Sequence, residues 1–106
     1  MMNNDELLNA AELLVSSSSP QGALVAYDEL TLQRGVSAAT WRKCAAVLSA
    51  AAEHTATLGF PAETVRKYTD RAADCLASAD WVDRTSGHVA TAAHTLQWIP
   101  IVGGRS

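Results

Sequence analysis

Three prolines, two cysteines and six aromatic side chains in 106 residues leave this chain with few of the groups that break, staple or stack a fold. Two cysteines in a chain of this size make no disulfide framework, and no Cys-x-x-Cys pair or Cys/His cluster points to zinc. Charged residues are only 18% of the chain and hydrophobic residues 48%, a balance that excludes disorder and suits one globular domain over residues 1–106. A net charge of −3 gives no general attraction to nucleic acid or to an anionic membrane. Every apolar run is interrupted well short of the roughly twenty residues that a membrane span requires. Met1 to Glu6 lack the positive charge that opens a secretory signal, so a cytoplasmic location is expected.

What the chain does have is alanine and helical periodicity. Alanine loses no side-chain entropy on entering a helix and has the best intrinsic propensity. From Asn4 to Val15, Leu7, Leu8, Ala11, Leu14 and Val15 share one face, and Asn3 with Glu6 has the spacing of a capping box. The serines at 16–19 break that pattern. Ser19-Pro20 then predicts a helix to about Arg34, with serine as cap and proline in the first position, where its missing N–H is no loss. Ala23, Leu24, Tyr27, Leu30 and Thr31 form its main stripe, while Val25 and Leu32 on a second side predict a helix covered on two sides.

The centre of the chain reads as two long amphipathic arms. Over 38–58, Trp41, Cys44, Ala45, Leu48, Ala51, Ala52 and Thr55 make one stripe, with Ser37 as N-cap and Gly59 placed for a left-handed end. Over 62–79, Val65, Tyr68, Ala72, Cys75, Leu76 and Ala79 make another, and Phe60 is set to staple onto Val65. Asp80 to Gly87 reads as a polar turn carrying Trp81 and Val82. Ser86 then predicts a cap for a fifth helix running to about Trp98, with Val89, Ala92, Ala93 and Leu96 inward and Pro100 as its stop. The expected fold is all-α: a compact bundle of about five helices built around a long antiparallel α-hairpin over residues 37–79, with a mobile tail from about residue 98.

Two short stretches carry a resemblance. Gly35 to Trp41 resembles the turn and recognition-helix opening of bacterial helix-turn-helix regulators, and Leu58 to Tyr68 is similar to it with a MerR-type flavour. This resemblance implies DNA contact through Arg66, Lys67 and Arg71, although Glu63, Asp70 and Asp74 share their face and would repel phosphates. Ala23 to Leu30 resembles the second helix of a tetratricopeptide-like hairpin, an architecture that implies a binding surface, but no copy recurs at a fixed period.

Groups able to do chemistry are thinly spread. His88 and His94 lie six residues apart, about 120° round a helix and unlike the i, i+4 pair that shares zinc; His54 is remote from both. Cys44 and Cys75 project from apolar stripes, where thiols are inert core residues. The sequence therefore predicts no catalytic residue, no metal and no cofactor. Trp98, Ile99, Ile101 and Val102 gather around Pro100 as either a partner-binding cluster or a segment that closes the core. The expected function is a non-enzymatic protein–protein interaction or regulatory module, its partner a protein, a second copy of itself included. A small helix-turn-helix DNA-binding regulator is the alternative, and no membrane is expected to be involved.

Overall fold

Asn3 opens the first helix with both halves of a capping box: its side chain accepts from the Glu6 amide at 2.8 Å, and the Glu6 carboxylate accepts from the Asn3 amide at 3.0 Å. The computed structural model describes residues 3–97, and side chains as far as residue 85. Among them are four helices and no strand: α1 (Asn4–Ser16), α2 (Gln21–Thr31), α3 (Ala38–Thr57) and α4 (Ala62–Gln97).

The same device ends α1 and α3. The Ser19 amide donates to the Leu14 carbonyl at 2.7 Å and the Ser18 amide to that of Val15 at 3.1 Å, a Schellman motif with Ser18 left-handed at φ +72°. At the end of α3, Phe60 donates to Thr55 at 3.0 Å and Gly59 to Ala56 at 3.1 Å, with Gly59 at φ +82°. Glycine takes that conformation without strain; serine does not. Ser18→Gly should therefore stabilise the fold by about 0.5–1 kcal/mol, raising Tm by a few degrees in a thermal melt. A lowered Tm would show that Ser18 carries no strain.

The serine run turns the chain so that α2 packs on α1. They pack tightly at Gly22, where an added Cβ would lie 2.7 Å from the Leu14 Cβ. Pro20, not Ser19, is the residue before α2, and no side chain caps this helix. Asn4 and Gln33 exchange amide hydrogen bonds of 3.0 and 2.9 Å across α1 and the end of α2, and Lys43 donates to Asn9 at 2.7 Å across α1 and α3. Val25 and Leu32, expected on a covered second side of α2, are instead 63% and 81% exposed. The buried stripe runs through Ala23, Ala26 and Leu30, and no described element lies against the opposite side.

α3 is the central helix, in contact with α1, α2 and α4. It buries Cys44, Ala45, Val47, Leu48, Ala51, Ala52 and Thr55, and the Thr55 hydroxyl is satisfied by the Ala52 carbonyl at 2.9 Å. Residues 58–61 return the chain into α4, which lays Tyr68, Ala72, Cys75 and Ala79 against α3. The small side chains of Ala72, Cys75 and Ala79 allow the two axes to approach. Near the other end of the interface Arg42 reaches Asp80 at 3.8 Å and hydrogen-bonds Asp83.

The helix count differs from the expected five. Residues 80–87 are not a turn, and no helix starts at Ser86: α4 runs unbroken for 36 residues. The physical reason is that nothing there stops a helix. The segment holds no proline, Val82 continues the inward spacing set by Cys75 and Ala79, and Gly87 in a helix interior costs only about 1 kcal/mol against alanine. Leu76, placed on the inward stripe by periodicity, is half exposed at its edge. The inward positions expected at Val89, Ala92, Ala93 and Leu96 lie beyond the described side chains.

A helix of that length is about 54 Å long. It outruns α3 and stretches the molecule to 62 × 31 × 17 Å, with a radius of gyration of 18.3 Å. A closed domain of this size would have a radius near 13 Å.

Candidate functional site

The connection between α2 and α3, with the head of α3, faces residues 78–85 in the middle of α4. Gly35, at φ +72°, turns the chain out of α2, and Ser37 caps α3 by accepting from the Thr40 amide at 3.1 Å. Val36 and Trp41 consequently occupy the N′ and N4 positions of a hydrophobic staple at the head of α3. Opposite them α4 presents Ser78, Trp81 and Val82. The space between is an open groove of about 780 Å³.

Its chemistry is simple. Val36 and Ala38 form a buried floor, Trp41 and Val82 are half-buried walls, and Trp81 stands 60% exposed at the edge. Ser37, Ser78, Thr85 and Gln33 supply neutral polar groups, and the one charged residue in the lining, Asp83, is hydrogen-bonded to Arg42. That bond holds the Arg42 guanidinium above its ordinary value. No lysine, arginine, histidine or cysteine lines the groove among the described residues. Such a surface offers apolar and aromatic contact with a few hydrogen bonds. Among the described lining residues it offers no cation to meet a phosphate, and its one carboxylate, Asp83, is engaged by Arg42.

The other candidate groups are not gathered in one place. Arg66 and Lys67 are exposed on α4, together with Glu63, Asp70 and Asp74. Arg71 donates to the Lys67 carbonyl at 3.2 Å and lies 5.8 Å from the centre of the Tyr27 ring. Tyr27 in turn donates to Asp74 at 3.4 Å, and burial followed by the Asp74 charge pushes its hydroxyl up from the ordinary value. This cluster joins α2 to α4.

Cys44 and Cys75 meet across α3 and α4, both fully buried. The hydrogen bond between them, and then burial, push the Cys75 thiol far up; the same bond lowers Cys44 against the opposing effect of burial. The Nε2 of His54 is buried without a hydrogen-bond partner, and no three of His, Cys, Asp and Glu are grouped as metal ligands among the described residues. Trp98, Ile99, Ile101 and Val102 lie outside the described residues.

Sequence reasoning did not find the groove, since it placed Trp81 and Val82 in a turn and Trp41 in the core. Two signals were present in the residues. The spacing Tyr68, Cys75, Val82 continues one helical face through the supposed turn, and Val36 with Trp41 has staple spacing around the Ser37 cap.

No described helix is long and apolar enough to cross a membrane. No protein-family model, no curated protein and no solved structure matches the chain.

Proposed function

We propose that this chain is a non-enzymatic protein-interaction module and that the groove between the head of α3 and the middle of α4 is its docking surface. Trp81 carries the proposal: a tryptophan 60% exposed beside a preformed apolar floor is an arrangement with much to gain from a partner. The uncharged lining favours an apolar protein segment over a phosphate-bearing ligand. Trp98, Ile99, Ile101 and Val102, which follow α4 in the sequence, are a second run of large apolar residues.

Capture from an extract of the native host tests this. Trp81→Ala should weaken partner capture at least tenfold, since a central tryptophan contributes about 2 kcal/mol or more at an interface. Thermal stability should barely change, because most of the side chain is already in water. Undiminished capture by a folded Trp81→Ala protein would remove the groove from the interface.

The DNA-binding alternative is weakened by the arrangement of charge and of helices. Arg71 is engaged with Tyr27, and the acidic residues on the exposed face of α4 oppose phosphate contact. α4 also returns along α3, whereas the two helices of a helix-turn-helix unit cross at about 90–120°. Binding to random or genomic duplexes at low salt should be weak or absent, and Arg66→Ala with Lys67→Ala should leave protein capture intact. Tight binding that falls steeply with salt, with a slope reduced by about one per removed contact, would favour the regulator instead.

A further inference from the structure

Resting on the groove as a docking surface, we infer that its occupant is the Trp98–Val102 segment of a second copy of this chain, exchanged reciprocally between two molecules. Two observations select that occupant. The first is chemical. The groove is apolar and aromatic, with neutral polar groups and no uncompensated charge, and Trp98-Ile99-Pro100-Ile101-Val102 is an uncharged run of large apolar side chains.

The second is reach. α4 is continuous to Gln97, so sixteen residues of helix separate Trp81 from the start of the segment, a distance of about 24 Å. Five residues, even fully extended, span at most about 18 Å. Val102 could at best return to the level of Thr85, the last described residue of the lining, and Trp98 could not return at all. The molecule that carries the segment therefore cannot lay it against its own Ser78, Trp81 and Val82 while α4 stays helical. A second molecule is under no such limit, and a two-fold pairing would fill both grooves with the same contact.

Complementation tests the inference. The full chain should be dimeric by sedimentation or light scattering at micromolar concentration, and a chain ending at Gln97 should be monomeric with its helicity per residue preserved. Trp81→Ala and Ser78→Arg, which empty and fill the groove respectively, should each weaken the dimer at least tenfold with the segment still present. Mixing either groove variant with the chain ending at Gln97 should restore a one-to-one heterodimer, since one partner supplies a segment and the other a groove.

A dimer that survives removal of residues 98–106, or a mixture that stays monomeric when the full chain dimerises, would overturn the exchange. So would a full chain that is monomeric throughout, and a synthetic peptide of residues 97–105 then separates the two claims. Peptide bound to the chain ending at Gln97 and lost with Trp81→Ala would leave the groove a docking surface without self-association. No peptide binding, together with undiminished capture of host protein by Trp81→Ala, would remove the groove as well.

Discussion

Leu48→Ala should lower the stability of the fold by about 3 kcal/mol, enough to move the urea midpoint by a molar unit or more. Leu48 is fully buried in the middle of α3, the helix that touches each of the other three. Removing its isobutyl group loses transfer free energy and leaves a cavity with packed helices around it, so collapse can recover little. Most domains of this size have only 5–15 kcal/mol in hand. Leu32→Ala is the control: the same chemical change at a side chain 81% exposed should stay within about 0.5 kcal/mol. Equal losses at the two positions, measured by denaturant titration, would contradict the packing around α3.

The cysteines should show an effect of comparable size in rate. Both thiols are fully buried at the seam of α3 and α4, so an alkylating reagent reaches them only when that seam opens. With an opening free energy of about 5 kcal/mol or more, labelling in native buffer should be slower than in denaturant by about a thousandfold or more. Cys44 and Cys75 should also become reactive together, since one opening exposes both. Mass spectrometry of timed aliquots distinguishes this from a single fast site. Rapid native labelling of either thiol would mean that the two helices do not pack as described.

Local chemistry was the legible part of the sequence. Asn3 with Glu6, Ser37 and Gly59 each announced a helix end through a rule acting over three or four residues, and each acts at that end in the structure. The all-helical class followed from alanine content and periodicity. What was not legible depended on contacts distant in sequence, or on the absence of a stop signal. Val25 and Leu32 are apolar, but only the arrangement of the other helices decides that no described helix covers them. The polar residues at 80–87 suggest a turn, yet polarity does not end a helix; proline or a left-handed residue does, and that stretch contains neither. The groove is a joint property of the α2–α3 connection and of α4, and it becomes visible only once α4 is known to continue through Trp81.

Ser18 escaped notice for a different reason. A serine in a serine-rich turn is unexceptional by composition, and its left-handed backbone is imposed by two hydrogen bonds from the turn back to α1.

The order of contacts along the chain bears on its birth. α1, α2 and α3 touch one another, whereas α4 packs chiefly on α3 and is the last of the described helices to be synthesised. At about 5–20 residues per second, its 36 residues take about 2–7 s to emerge from a ribosome. During that interval three helices can already have assembled around Leu8, Leu30 and Leu48, with the Cys44 side of α3 still open to water. The nascent chain thus passes through a stage in which one thiol, sealed in the finished protein, is accessible to oxidants and chaperones.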